Sequence, residues 1–552
     1  MEGDALTHVY QQRNEQRPSD MYPASTENEE RTVKQRKYRS TRQKVVETGA
    51  LVASWIVRGM YCEVSGPTLI DLKHRFKAGY EELAVALSAG GAGTIPGCIL
   101  GGILVDKFGA YCHLMIAVTL DIAAICVVLM PWVPALLYLW TLCFISGLVE
   151  TIHNTAGTRI NLNIWKDKSA SPIILMHLGY GIGSFLAPLY SNPFLGVKIY
   201  NTSITNDTSY GNVTIEVTSN YSDFKEEMSY LENSRVEYAF AISGIAAACL
   251  SIVFYILQVV QSKALKQIQN ETASKKSNGF IENDNTIEVN EESNKSYLNV
   301  LRKYDWRNKL RGLLQMFNPA ACAKGRFWYG SSILFVVFFY FGNAGGGQGF
   351  TSKFIRSFSI DQLHFTNTDA SLLNTSFWIS FSAGRFIFFI IARMMSVKLL
   401  LLLETSTLMV FAIFLAIFGC DNSTALWVLT QVVAFCIGPL WPTGIAWTDY
   451  HIELTGMAMA LQMVGCAFGY MLHMRLIGYL YDSFGPHTYV LHVAGSAILG
   501  FILAVVLAII GAKHGNRFVP ENISDTDGRN DIDFSEEKEN EKSFTKTDVT
   551  ML

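Results

Sequence analysis

Twelve apolar stretches of about 20 residues recur along this 552-residue chain, near 45–70, 80–104, 111–131, 134–158, 171–190, 238–260, 327–348, 370–394, 398–418, 425–447, 456–480 and 487–511. A run of that length crosses the hydrocarbon core of a bilayer as a helix, the one single-segment structure that satisfies its own backbone hydrogen bonds in lipid. The sequence therefore predicts an all-α integral membrane protein with twelve transmembrane helices, whose solvent is the lipid bilayer. Half of the residues are hydrophobic and 16% are charged, which excludes an ordinary soluble enzyme. A polar segment, 261–326, divides the spans six and six and predicts two six-helix pseudo-repeats. The expected units are a tail (1–44), a first bundle (45–260), a linker (261–326), a second bundle (327–511) and a second tail (512–552).

Positive charge orients the chain. RTVKQRKYRSTRQK before the first span, Arg159, Lys166 and Lys168 between spans four and five, Arg302 to Arg311 in the linker, and Lys513 with Arg517 after the last span share one side. That side is expected to be cytoplasmic, with both tails on it; the basic loop DLKHRFKAG between spans one and two goes against the pattern. Four glycan-acceptor sequences, at Asn201, Asn206, Asn212 and Asn220, fall in the 191–235 loop on the other side. No short apolar leader precedes the first span, so that span is expected to do the targeting, to the plasma membrane. The ten cysteines sit mostly inside apolar runs and imply no disulfide framework. The net charge of −3 averages a basic first tail with an acidic last one, and nucleic acid is not an expected partner.

Ionisable residues inside spans mark sites, because each costs roughly 2.5–3.5 kcal/mol at the bilayer centre and must face protein or a water-filled cavity. In SGLVETIHNTAGTRIN of the fourth span, Ser146, Glu150, His153, Asn154, Thr158 and Asn161 fall in one sector at about 100° per residue. Glu150 and His153 can line a cavity or form a structural hydrogen-bonded pair. Arg58 and Glu63 lie about 140° apart around the first helix and cannot pair with each other, so each needs a partner on another helix. Arg385 and Glu404 read as structural or close to the cytoplasmic surface.

Two internal patterns support the repeat. FISGLVETIHNTAG in the fourth span aligns with FCIGPLWPTGIAWT in the tenth, and Gly179, Gly183 and Gly465, Gly469 recur at four-residue spacing in the following helices, where they permit close approach. The turn GGILVDKFG after span two offers Gly102 and Gly109 for a tight helix contact and Asp106 as a hydrogen-bond acceptor at a neighbouring helix N-terminus. This turn resembles the loop motif of the major facilitator superfamily, which implies a gating role for Gly102, Asp106, Lys107 and Gly109, although Ala110 and Tyr111 stand where two basic residues usually follow. GPTLIDL, NLNIWKDKSASPIILMHLGYGIGSFLAPL, VEYAFAI and WPTGIAW with LTG resemble, more specifically, the sodium-dependent glucose transporter family, which includes the domain-containing protein four group.

The resemblance implies the major facilitator fold, one central site, alternating access, no cofactor, a monomer, and sodium-linked uptake of glucose or a related hexose. Members carry acids where Asn154 and Asn343 stand here, so a uniporter is the alternative. Glu150, one turn before Asn154, could supply the missing charge, and Glu150 with Asn154 is the candidate sodium site. A sugar site combines amides, carboxylates and aromatic rings. Those types come from Glu150, His153, Asn154, His177, Tyr180, Asn343, Gln348, Gln431, Trp441 and Gln462, with Trp447 nearby. For any single Trp, packing or lipid contact competes with substrate contact. Gly345, Gly346 and Gly347 would let the seventh helix break, as a gate requires. The rivals are a sodium-independent facilitator of a sugar, an organic acid or a urea-like solute, since cations such as Arg58 favour an anion, and a non-transporting receptor. Walker, zinc and catalytic-triad patterns are absent, so an enzyme is not expected.

Overall fold

A computed structural model describes residues 41–165, 170–196, 234–278, 319–392, 394–453 and 456–512. Each expected span coincides with one long helix: α1 (Thr41–Glu63), α2 (Tyr80–Lys107), α3 (Cys112–Leu129), α4 (Leu136–Trp165), α5 (Ala170–Ser191), α6 (Val236–Asn278), α7 (Phe327–Leu363), α8 (Asn367–Ile391), α9 (Val397–Phe418), α10 (Ser423–His451), α11 (Gly456–Phe484) and α12 (Thr488–Ala512). Among the described residues, eight are long and apolar enough to cross a membrane on length and composition alone. The other four, α1, α5, α8 and α11, are diluted by charged residues, hydroxyls and glycines, and all four border the central cavity described below. The acceptor sites Asn201, Asn206, Asn212 and Asn220, most of the linker and both tails lie outside the described residues.

The two halves pack alike. In the first, α1 lies on α5, α2 on α4 and α3 on α6; in the second, α7 lies on α11, α8 on α10 and α9 on α12. The halves meet along two seams, α2 with α11 and α5 with α8, which exchange under the six-helix repeat. The repeated glycines explain the intimacy of two of these pairs. A Cβ on Gly179 would stand 2.8 Å from the Val52 carbonyl, and one on Gly183 would overlap that of Ile56, both on α1; in the second half Gly465 backs onto Phe338 and Gly469 onto Gly342 of α7. Gly469→Val is accordingly expected to cost about 3 kcal/mol, the upper end of overpacking penalties, read as a lower melting temperature in detergent. Gly102→Val, where a Cβ meets open space, should melt with the parent.

That open space corrects the reading of the α2–α3 turn. Among the described residues nothing lies within 4 Å of a Cβ at Gly102 or Gly109, and Asp106 and Lys107 are exposed, so the turn makes no tight contact with them in this conformation. The glycine run of α7 is also not a break. The helix is continuous over 37 residues, and its glycines serve approach by α11: Gly346 faces Gly469 and His473, and Gly349 faces the Tyr470 ring. The interruption falls in α10 instead, at Gly438-Pro439 between the helical pieces Ser423–Ile437 and Leu440–His451, where proline removes a donor and crowds the preceding turn.

Candidate functional site

Between the halves lies a cavity of about 320 Å³, bordered by α1, α2, α4 and α5 from one side and α7, α8, α10 and α11 from the other. The volume falls in the range of small-molecule pockets, roughly 300–1,000 Å³. Its lining mixes rings (Trp55, Tyr61, Tyr180, Trp441, Tyr470) with polar groups (Thr94, Ser146, Asn154, Gln348) and five charged residues: Arg58, Glu63, Glu150, Lys353 and Arg385.

Arg58 of α1 and Glu150 of α4 form an ion pair across the first half. Arg58 Nη2 and Nε donate to Glu150 Oε1 at 2.6 and 3.0 Å, and Nη1 donates to Asn154 Oδ1 at 3.2 Å. One helical turn separates Glu150 from Asn154, so both oxygens meet one planar guanidinium, the fork geometry arginine provides. The rings of Trp55 and Tyr180 lie 5.8 and 5.6 Å from the guanidinium carbon and add cation–π attraction. Glu150 and Asn154 thus face a cation fixed in the protein.

A second pair joins the halves. Lys353 of α7 donates to the Cys62 carbonyl and Ser65 Oγ, both at 2.9 Å, and to Glu63 Oε2 at 3.3 Å. Tyr180 of α5 donates to Glu63 Oε1 at 2.8 Å. All three ammonium protons have acceptors and both carboxylate oxygens have donors, which a buried pair requires. Arg58 and Glu63 therefore find separate partners on other helices, as their angular offset demands. Lys353 escaped the sequence reading because the seventh span was closed at 348, whereas α7 runs to Leu363; a lysine inside GFTSKFIRSF was the available signal.

The same end of the molecule carries further bridges between halves. Tyr80 donates to Asp361 Oδ2 at 2.7 Å, an oxygen that also accepts from Tyr481 of its own half at 2.9 Å, the Glu81 amide donates to Asp482 Oδ2 at 2.7 Å, and Asn367 donates to the Gly196 carbonyl at 2.6 Å. Between described residues, the side-chain hydrogen bonds and ion pairs joining the halves all lie at this end, opposite the α2–α3 turn. Among the described residues, these bonds tie the halves at one end, and the α2–α3 turn at the other makes none to the opposite half.

Of the expected substrate residues, Glu150, Asn154, His177, Tyr180, Gln348 and Trp441 line the cavity. His153 does not: it is 1% exposed, 3.2 Å from Ser54 Oγ and edge-on to Trp55, so the Glu150–His153 pair is not formed. Asn343 turns away, donating to the Ser496 carbonyl of α12 at 2.9 Å. Gln431 ties α10 to α8, accepting from Ser380 at 2.7 Å and donating to Ser376 at 2.8 Å. Gln462 is 2% exposed among α11 packing residues, and Trp447 sits in the core of the second half. Arg385, read from sequence as structural, borders the cavity, whereas Glu404 is buried and accepts from Thr443 at 3.0 Å.

A family model described as Major Facilitator Superfamily matches residues 15–194. The human protein named sodium-dependent glucose transporter 1 is 22% identical over 91% of this chain and 88% of its own length. Major facilitator superfamily domain-containing protein 4A of Xenopus tropicalis is 22% identical over 83% of this chain and 90% of its own. Among solved structures, the peptide transporter POT superposes with a TM-score of 0.54 at 13% identity, covering 85% of this chain and 95% of that one. The nucleoside transporter NupG gives 0.52 at 13% identity, covering 85% and 99%. The chain carries a Major Facilitator Superfamily match over residues 15–194, and its two six-helix halves with their paired seams share the fold of the multi-pass membrane transporters, not enzymes, to which it is similar.

Proposed function

We propose that this chain moves glucose or a related hexose across the plasma membrane by alternating access, with both tails in the cytoplasm and the glycan-acceptor loop outside. The halves rock about the cavity as rigid bodies. In that orientation the closed end of the structure faces outward, and the solute leaves toward the cytoplasm. The carrying observation is the cavity itself: hexose-sized, at the boundary of the halves, and lined by rings for a sugar's C–H face and by amides and hydroxyls for its oxygens. The names of the curated relatives support a hexose cargo.

Arg58 donates to Glu150 Oε1 and Asn154 Oδ1, two of the oxygens expected to hold sodium, so a fixed positive charge stands where a coupling cation would bind. Sodium drives a transporter only through a difference in affinity between its two states, and this pair leaves sodium little to gain. Uptake of labelled hexose into proteoliposomes is therefore expected at equal initial rates with sodium or choline outside. The relatives' name favours a second reading, sodium coupling; a severalfold stimulation by a sodium gradient would establish it. Absence of uptake of any hexose in either medium would remove the sugar cargo.

A further inference from the structure

We propose that the solute is anionic, a hexose-sized sugar acid carrying one carboxylate, held by Arg385. This rests on the cavity's being the transport site, and it narrows the solute that site takes. The charged residues bordering the cavity are Arg58, Lys353 and Arg385 against Glu63 and Glu150. Both carboxylates are committed: Glu150 to Arg58, and Glu63 to Lys353 and Tyr180. One positive charge is left over, and it is Arg385.

The left-over guanidinium is held in place. Its Nε donates to the Gly438 carbonyl at 3.0 Å, which the interruption of α10 brings within reach, and its carbon lies 4.3 Å from the Phe381 ring centroid on its own helix. Neither Nη has a protein acceptor among the described residues. An arginine so anchored offers two parallel N–H groups, the geometry that binds a carboxylate bidentately. An uncompensated cation inside a membrane protein is costly and marks a solute or ion pathway; a bound monoanion removes that cost, whereas a neutral hexose leaves it standing. A single excess charge matches a carboxylate better than a phosphate dianion, which would overcompensate it. The remaining lining, Gln348 and Asn154 with Trp441 and Tyr180, suits the hydroxyls and C–H face of a sugar ring, so the acid is a hexuronate or hexonate more than a small acid such as lactate. His177, which also lines the cavity, adds a further ring nitrogen.

The test is initial uptake of labelled glucuronate and of labelled glucose into proteoliposomes holding the full chain, in choline medium, with lactate and glucose 6-phosphate as unlabelled competitors. Glucuronate is expected to enter at least tenfold more efficiently than glucose, with neither competitor matching unlabelled glucuronate. Arg385→Gln should bring the two sugars to within about twofold of each other, and Arg385→Lys should retain part of the preference. Should Arg385→Gln not fold, the wild-type ratio and Arg385→Lys decide. Glucose entering as fast as glucuronate would overturn the anionic solute and leave hexose transport standing. Stronger competition by lactate or by the phosphate ester would overturn the sugar acid. Entry of neither labelled sugar would instead remove the transport reading itself, and this inference with it.

Discussion

Lys353→Met is expected to lower stability by about 3–5 kcal/mol and to abolish uptake, because it strands the Glu63 carboxylate in a buried site. Both side chains of the pair are nearly inaccessible, at 7% for Lys353 and 8% for Glu63, so water cannot replace the lost partner. Tyr180 and Ser352 would remain as donors to Glu63, but neither carries charge. The double variant Glu63→Gln/Lys353→Met removes both charges and should recover most of the melting temperature, since paired neutral groups avoid the desolvation cost. Uptake should stay impaired in the double variant, because the bond from α7 to α1 is one of those that close this end. Recovery of uptake together with stability would reduce the pair to a packing element.

Glu150→Gln carries the second large effect. It leaves Arg58 with two amide oxygens, the introduced one and that of Asn154, and two rings but no counter-charge. The side chains of this pair are 16% and 27% exposed, so solvent screens part of the penalty and the stability loss is expected to be about 2 kcal/mol, below the range for a fully buried pair. Uptake should fall at least tenfold whichever cation is present, because the freed guanidinium can fold over the cavity. A variant that kept its choline-medium uptake and lost only a sodium stimulation would identify Glu150 as a cation ligand and displace Arg58 from that role.

Helix number, the six-and-six division and the glycine pairs were legible in the sequence, since lipid imposes length and self-satisfied backbone bonds on each span and close helix contacts demand small residues. The polar stripe of α4 was legible only in part. Ser146, Glu150 and Asn154 recur at four-residue intervals and reach the cavity, but His153 lies one residue off that row and turns into α1. A sector drawn on a helical wheel is wider than the strip a neighbouring helix leaves open. Asn343 and Gln431 show a related limit: an amide in a span can satisfy itself on an adjacent helix, and composition does not say which helix is adjacent. Lys353 and Arg385 depended on where a helix ends and on which helices meet across the halves, neither of which periodicity contains. The glycine run of α7 looked like a hinge because glycine serves flexibility and close approach alike; the partner, α11, settles which.

The most direct test of alternating access at this cavity is to pin the closed end. The Glu81 amide of α2 donates to the Asp482 carboxylate of α11 there, so the two positions are adjacent, and Glu81→Cys with Asp482→Cys can be joined by a short cleavable bismaleimide, each single variant serving as the control for native cysteines. Uptake into proteoliposomes is expected to stop in proportion to cross-linking and to return when the linker is cut. Undiminished uptake at complete cross-linking would mean that this end need not open, and the rocking of two halves about the cavity would be wrong.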